Sequence, residues 1–241
     1  MTMPPRRVGR HPEPVPGASQ FAALPFLAAV EGYLRPRVNA AIKGASGNDL
    51  RVVLHRTMSR DGEGYLQQLC PNVGDGMYDP ALAGRIYPVT EGIIGRANAS
   101  KKVVRTRRYD DVESLMSALT QDMKSHDEQR SPSQVGLSYL AIPFLGTDEE
   151  AALILFADSK AFNLFADNET VVDVVSMCQG FCRTVDQIVS SPLAGIRNYP
   201  LEPGAPVREA ENVYPTIQEA IEEIAPPRFT KLKSFNFEST S

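Results

Sequence analysis

Two glycines three residues apart, Gly92 and Gly95, lie in the stretch YPVTEGIIGRANASKK, between an apolar run and a pair of lysines. A loop that binds a nucleotide phosphate needs G-x-x-x-x-G-K-[ST], or G-x-G-x-x-G between a strand and a helix, because several backbone N–H groups must converge on the phosphate. Here the first lysine lies six residues beyond Gly95, and no further glycine follows nearby. The two glycines therefore predict a tight turn and close packing rather than phosphate chemistry.

Cysteine and histidine side chains could supply a nucleophile, a redox pair or a metal site. Cys178 and Cys182 are four residues apart in an apolar helical pattern, where cysteine usually behaves as a small buried hydrophobic residue, and Cys70 follows a strand alone. A structural zinc site needs clustered ligands, whereas the three histidines are scattered: His11, His55 and His126. We interpret His55, inside a predicted strand, as a satisfied sheet residue. With no G-x-S-x-G motif either, the sequence predicts no metal site and no enzyme.

Composition limits the classes of protein further. A chain of 241 residues with 42% hydrophobic residues can bury one core of ordinary size. Its net charge of -4 lacks the basic excess that nucleic-acid binding requires. The apolar run FAALPFLAAV is interrupted by Pro25 and falls well short of the roughly 18 residues of a membrane span, and three cysteines fit a reducing compartment. We therefore expect a cytoplasmic protein that contacts neither nucleic acid nor membrane.

Proline marks the predicted domain boundaries. Five of the 19 prolines lie in residues 1–20 and seven in residues 192–241. Proline-rich, weakly hydrophobic segments bury too little surface to offset the entropy lost on ordering. We predict a disordered extension over 1–20, one folded domain over 21–191, and a proline-rich linker followed by a docking tail over 192–241.

The docking tail is predicted from residues 214–237. Thr216 and Glu219 form a capping-box pattern, followed by apolar residues at helical spacing, so a helix is expected there. The last residues carry three phenylalanines among polar groups. We expect this segment to dock, by helix-in-groove and strand-like contacts, onto its own domain or onto a partner protein.

Hydrophobic periodicity predicts the order α, β, β, β, α, α, β, β, α within residues 21–191. The short extended piece KKVVRTR is set aside, and Pro36 is expected to kink or divide the first helix. Two strands, LSYLAIPFLG and EAALILFADS, are so apolar that both of their faces should be covered. With no alternating βα repeat, the prediction is an α+β fold: a central antiparallel sheet with helices on both faces.

The last helix has a seven-residue apolar repeat, typical of helices that pack at a shallow angle. The repeat is formed by Val171, Val175, Cys178, Cys182, Val185 and Val189. We expect the N- and C-terminal helices, over 26–42 and 168–191, to pack together and to form a homodimer.

Four stretches, in this order and at these separations, resemble the GAF domain, a regulatory ligand-binding module of signalling proteins. They are VTEGIIGRANASKKVVRT, YDD, LSYLAIPFL and AALILFADSKAFNLFADNETVVDVVS, and the resemblance covers about residues 25–190. It implies a GAF-like fold. GAF domains variously bind cyclic nucleotides, tetrapyrroles, small metabolites or metals, or only dimerise, so the resemblance names no cofactor.

The resemblance suggests two more specific GAF functions. Some cyclic-nucleotide-binding GAF domains carry Asn-Lys, then Phe, then Asp-Glu, but here Ser159 takes the place of the asparagine. We favour a Lys160–Asp167 ion pair that braces this loop, with Phe165 in the core, over ligand contact. The free methionine sulfoxide reductases of the family need a reactive and a resolving cysteine, and the segments RTRRYDD and DEQRSPSQVGLS contain none.

The resemblance implies a pocket roofed by the third strand, the short helix and the segment after it. The predicted ligand-binding residues are Arg85, Tyr87, Arg105, Thr106, Tyr109, Asp111, Ser138 and Tyr139. The arginines favour a small anionic or heteroaromatic ligand, because they offer charge-assisted hydrogen bonds; a solvated basic loop is the alternative. The resulting hypothesis is a non-catalytic GAF-type sensor that signals through a separate partner. An interaction adaptor with a filled pocket, or a GAF-type reductase, stays open as an alternative.

Overall fold

The computed structural model describes residues 18–46, 49–60, 63–74, 83–89, 92–125, 136–187 and 218–233. Four α-helices are present in this part of the chain: α1 Ala18–Ala41, α2 Gly92–Ser100, α3 Val112–Ser125 and α4 Asn168–Gln187. The strands are β1 Leu50–Arg60, β2 Glu63–Gln68, β3 Ile86–Pro88, β4 Val103–Thr106, β5 Ser138–Leu145, β6 Ala151–Ser159 and β7 Gln218–Ile221, and a 3-10 helix covers Leu164–Ala166. Residues 18–20, predicted to belong to the disordered extension over 1–20, are the start of α1. The rest of that extension and the linker over 192–217 lie outside the described residues.

The strands form one seven-stranded sheet in the order β3-β2-β1-β6-β5-β4-β7. All of its neighbouring strands run antiparallel. Every residue of β5 is buried, as the apolar sequence of that strand predicted. The predicted α+β class with a central antiparallel sheet is confirmed.

Helices cover both faces of the sheet, and each face is named after the helices that pack on it. α1 and α4 pack on one face, hereafter the α1/α4 face, where Phe26 stacks on Phe181 with ring centroids 4.4 Å apart. The Tyr33 hydroxyl donates a hydrogen bond to Asp173, joining the two helices again. α2 packs on the other face, hereafter the α2 face, through Ile93. The terminal helices therefore pack together, as predicted.

Four of the six residues of the apolar repeat of α4 are buried within their own chain, Val175 is partly buried, and Val189 lies outside the described residues. Val171, Cys178 and Cys182 are fully buried in the core beneath α4, and Val185 is 4% exposed. α1 is one helix that continues through Pro25 and Pro36, both on its exposed side, so the division expected at Pro36 is wrong. The glycine prediction is confirmed, since Gly92 has φ 68° and Gly95 is buried in α2.

The helix predicted after Thr216 is wrong. Residues Gln218–Ile221 form β7, which pairs antiparallel with β4, the piece that the prediction set aside. β4 would otherwise be an edge strand with unpaired backbone N–H and C=O groups, and pairing satisfies them. Residues 218–233, hereafter the tail segment, then continue along the core, where Phe229 and Leu232 are buried.

Candidate functional site

A row of polar side chains crosses three neighbouring strands on the α2 face. His55 in β1 lies opposite Gln68 in β2, and the Gln68 backbone N–H donates to the carbonyl of Arg85 at 2.9 Å, just before β3. Side chains alternate between faces along a strand. Since Val53 and Tyr87 belong to the apolar cluster under α2, the residues two positions away, His55 and Arg85, lie on that face too. We call His55, Gln68, Arg85 and Tyr87 the polar row.

His55 is the most buried titratable group of the polar row. Its side chain is only 5% exposed, and its ring meets that of Tyr87 edge-on with 6.4 Å between centroids. Burial lowers the pKa of His55 to about 3, and the nearby positive charge of Arg51 adds to the shift. The imidazole is therefore neutral at neutral pH.

Two nitrogens of the polar row are buried without a hydrogen-bond partner. They are His55 Nδ1 and Arg85 Nε. Every other buried side-chain nitrogen or oxygen of the described ranges has a hydrogen-bond partner. The interpretation of His55 as satisfied is therefore wrong for Nδ1. An unpaired buried polar atom costs about 1 to 3 kcal/mol, so two such atoms on one face need an explanation.

Charges near His55 are partly neutralised by an ion pair. Arg51 lies two residues before His55 on the same face, and its Nε and Nη2 donate to the two oxygens of Asp158 at 2.8 and 2.9 Å. The Arg51 guanidinium also lies 5.6 Å from the centre of the Phe156 ring. A two-point pair of this kind fixes the orientation of both groups.

Four of the eight predicted site residues lie on the α2 face: Arg85, Tyr87, Thr106 and Tyr139. Arg85 and Tyr87 belong to the polar row. Thr106 and Tyr139 meet at the opposite end of the sheet, where the Thr106 Oγ1 accepts a hydrogen bond from the Tyr139 backbone N–H at 2.8 Å. The predicted set is thus only partly brought together.

Two predicted site residues brace the α1/α4 face instead. Arg105 Nε donates to Glu219 at 2.9 Å, and its Nη1 donates to the carbonyl of Phe165 at 3.2 Å. The Ser138 hydroxyl accepts from the Phe165 N–H at 3.0 Å. These contacts hold the tail segment and the 3-10 helix to the sheet.

The last two predicted residues position α3. Tyr109 is buried with Leu115 in a small apolar cluster. Asp111 is exposed, and its side chain accepts a hydrogen bond from the Ser114 N–H at 2.7 Å, as expected at the start of a helix. That backbone hydrogen bond lowers the pKa of Asp111.

The loop after β6 is held by contacts other than the predicted ion pair. Lys160 Nζ lies 3.4 Å from Asp49, not beside Asp167. Asp167 instead accepts hydrogen bonds from the hydroxyl and N–H of Thr170 at the start of α4, which lower its pKa. The predicted ion pair is wrong, whereas the burial of Phe165 in the core is confirmed.

Sequence reasoning missed His55 and Gln68 as members of the site. Each is a polar residue inside an apolar strand, and that was the available signal. The neighbouring polar pair Arg56 and Gln67 has the same pattern but faces the other way, where Arg56 Nε donates to Gln67 Oε1 at 2.7 Å. Only the position of the strands distinguishes the two pairs.

The three cysteines of the chain are all buried free thiols. Burial raises the pKa of Cys70 to about 12, and it also raises the pKa of Cys178 and of Cys182. Because the thiolate is the reactive form, all three are poor nucleophiles in this arrangement.

Within the described residues there is neither a cluster of metal ligands nor a membrane-spanning helix. There, no three His, Cys, Asp or Glu side chains come together in a group that could hold a metal ion. No helix in the same part of the chain has the length and apolar character needed to cross a membrane.

No protein-family model matches the chain, and no curated protein matches it. Similar solved structures include the GAF domain of a two-component sensor histidine kinase from Bacillus halodurans, at 10% identity over 68% of this chain and 95% of that chain, with a TM-score of 0.37. A GAF sensor protein from Burkholderia vietnamiensis is 13% identical over 75% and 97% of the two chains, with a TM-score of 0.35. The type II free methionine-R-sulfoxide reductase from Thermoplasma acidophilum is 15% identical over 64% and 95%, with a TM-score of 0.33.

GAF domains are therefore among the solved structures to which this chain is similar, in line with the resemblance read from its sequence. The neighbours include both sensor domains and an enzyme. At these TM-scores, nothing of their activities transfers to this chain.

The neutral state of His55 makes a prediction about stability and pH. Its pKa is about 3 in the folded protein and about 6.5 in an unfolded chain. The stability that depends on neutral His55 is therefore present above pH 6.5 and is lost as the pH falls towards 3, because the unfolded state takes up the proton first. Urea unfolding at pH 7 and pH 5 should show that the free energy of unfolding falls by about 2 kcal/mol more in wild type than in His55→Asn. Parallel losses in the two proteins would contradict this buried, neutral His55.

Proposed function

We propose that this chain is a non-catalytic GAF-type sensor that binds a small molecule at the polar row and signals through a separate partner. The observation that carries the proposal is the pair of buried nitrogens, His55 Nδ1 and Arg85 Nε, without partners on one face of the sheet. A bound molecule that pairs with them would remove a cost that the folded protein otherwise bears. The mixed polar and apolar lining, with Tyr87 packed against the α2 cluster, suits a small ligand.

A non-catalytic role is supported by the state of the cysteines. A reductase of the thiol type needs a reactive thiolate, while burial holds all three thiols of this chain protonated. We place the protein in the cytoplasm on the same ground, since buried free thiols are typical of a reducing compartment.

A thermal-shift screen of a metabolite panel tests ligand binding. A ligand at one hundred times its dissociation constant should add about 2.7 kcal/mol to the stability of wild type. Native mass spectrometry of the freshly purified chain would detect a molecule retained from the cell. If no compound raises the melting temperature and no adduct is found, the sensor proposal fails.

We also propose a homodimer formed by the terminal helices, 26–42 and 168–191. The apolar repeat of α4 is occupied by the chain's own core, so the interface would use the outer faces of the two helices. On α4 this face carries Val172, which is 45% exposed, and Gly180. A Cβ placed at Gly32 of α1 or at Gly180 would meet no atom within 4 Å. Small residues at these positions permit close approach of helices from a second copy.

Gly180→Glu is predicted to dissociate this dimer without unfolding the chain. The side chain would enter open space in a monomer, but it would place a charge inside the helix interface. Light scattering should report half the wild-type mass, with an unchanged circular dichroism spectrum. Ser117→Glu, on the exposed side of α3, is the control and should stay dimeric. A folded Gly180→Glu protein with the mass of wild type would refute this interface.

A second candidate function is an interaction adaptor that uses residues 214–237. β7 is the edge strand of the sheet, and an edge strand can pair with a strand of another protein. The side chain of Glu222, just after β7, is 77% exposed beside Lys102. Cross-linking in cells tests this function. If the adaptor function holds, Glu222→Lys should lose the partner proteins that cross-link to wild type. If signalling depends on the polar row, His55→Asn should lose them instead.

A further inference from the structure

We infer that the ligand of the polar row is a small molecule bearing a single carboxylate, which pairs with Arg85, and a second polar group, which pairs with His55. This inference rests on the sensor function proposed above. It names the chemical class of the ligand from the charges, donors and spacing of this face.

Among the described residues, the charges that face the row leave one positive charge without a counterpart there. Arg51 and Asp158 neutralise each other through two hydrogen bonds. His55 is neutral because burial disfavours its charged form. Gln68 carries no charge, and its amide nitrogen donates to the Cys70 carbonyl at 2.8 Å and to Asn72 at 2.9 Å. In this part of the chain Arg85 is thus the cation of the row, and an anion with one charge balances it.

The unpaired Nε of Arg85 favours a carboxylate over other kinds of anion. The Nε–H belongs to the planar donor fork of the guanidinium, which matches the two oxygens of a carboxylate. Arg85 Nε is buried without a partner, so a carboxylate here would gain a charge-assisted hydrogen bond in a site shielded from water. A dianion such as a phosphate monoester would need a second free cation in the row.

His55 supplies the second point of recognition. A neutral imidazole has one donor and one acceptor nitrogen, and its Nδ1 is buried without a partner. His55 and Arg85 flank Gln68 across adjacent strands, whose backbones are spaced about 4.8 Å apart. The backbones of His55 and Arg85 are therefore about 10 Å apart. Because the side chain of Arg85 is long, its guanidinium can lie closer than this to the His55 ring. A ligand with its hydroxyl, amino or amide group a few bonds from the carboxylate fits this spacing.

The walls of the row favour a short apolar body between the two polar groups. Tyr87 lies edge-on to the His55 ring, and Ile154 of β6 lies opposite His55 on its other side. Both belong to the apolar cluster under α2. A short aliphatic or aromatic carboxylate could therefore bury its carbon atoms while its polar groups pair.

Matched pairs of compounds test the inference on the full chain. The probes are short 2-hydroxy and aromatic monocarboxylates, the primary amide of each, and inorganic phosphate. Thermal shift and calorimetry should show at least one carboxylate that binds wild type at least tenfold more tightly than its amide. Arg85→Gln should lose at least tenfold in affinity for that carboxylate, and Arg85→Lys should recover part of it. Arg183→Gln, which removes an exposed arginine from α4, should bind as wild type does.

The outcomes separate this inference from the proposed function. If amides or phosphate bind as tightly as the carboxylates, or if folded Arg85→Gln and Arg85→Lys bind as wild type does, the carboxylate class is wrong and the sensor function stands. If the carboxylates and amides fail and another metabolite binds in a manner that depends on His55, the class is again wrong and the site is retained. If no compound of any class binds, both fail.

Discussion

Phe144→Ala is expected to lower the free energy of unfolding by about 3 to 5 kcal/mol. Phe144 is fully buried in β5, and its ring meets Phe26 of α1 and Phe181 of α4 edge-on at 6.2 and 6.1 Å between centroids. It also stacks on Phe229 of the tail segment at 6.3 Å. Alanine would leave a cavity where the sheet, both terminal helices and the tail segment meet.

Urea unfolding of Phe144→Ala and Phe144→Leu measures this effect. Leucine restores most of the volume, so it should cost less than about half as much as alanine. A loss below about 1 kcal/mol for Phe144→Ala would mean that these four elements do not share one core.

The second large effect is expected from Asp186→Ala, because Asp186 fastens the tail segment to α4. One carboxylate oxygen accepts hydrogen bonds from the N–H and the hydroxyl of Thr230, at 2.7 and 2.8 Å. The other oxygen accepts from the Lys231 N–H at 3.1 Å. Hydrogen bonds to a charged group are stronger than neutral ones, so the loss should be about 2 to 3 kcal/mol.

Limited proteolysis and hydrogen exchange would locate the loss caused by Asp186→Ala. Faster exchange in the tail segment than in β1 and β6 is the expected pattern. Gln179→Ala is the matched control, since Gln179 also contacts the tail backbone, at Arg228, but at the surface; it should cost less than about 1 kcal/mol. Equal costs for the two variants would contradict a special role for Asp186.

The sequence predicted those parts of the fold that depend on local pattern. β5 and β6 are continuous apolar runs, and only a sheet covered on both faces can bury them. α4 has a clean helical repeat, and the predicted helix is confirmed over residues 168–187. In each case the signal lies within one element, so no knowledge of distant neighbours was needed.

β7 could not be predicted in the same way. The capping-box pattern around Thr216 is a local signal for a helix, but the strand is favoured by a partner far along the chain. Arg105 and Glu219 form an ion pair although they are 114 residues apart. Such pairing overrides local preference, because strand stability depends on the neighbour as much as on the strand.

The candidate site shows the same limit. Arg85 and Tyr87 were named from the sequence and lie in the polar row, but Arg105 and Ser138 face the other side of the sheet. Side-chain direction reverses with every residue of a strand, so a shift of one position moves a residue between a ligand site and a structural contact. His55 and its unpaired Nδ1 became visible only with the packing around it.

The pairing of β4 with β7 also sets the order in which the chain can complete its fold. β4 is synthesised early, yet one of its two strand neighbours begins only at Gln218. During translation this edge of the sheet stays unpaired until β7, the first part of the tail segment, has left the ribosome. Unpaired edges are the sites at which incomplete chains associate. A chaperone that shields nascent chains would therefore find its substrate at β4, on the open edge of the incomplete sheet.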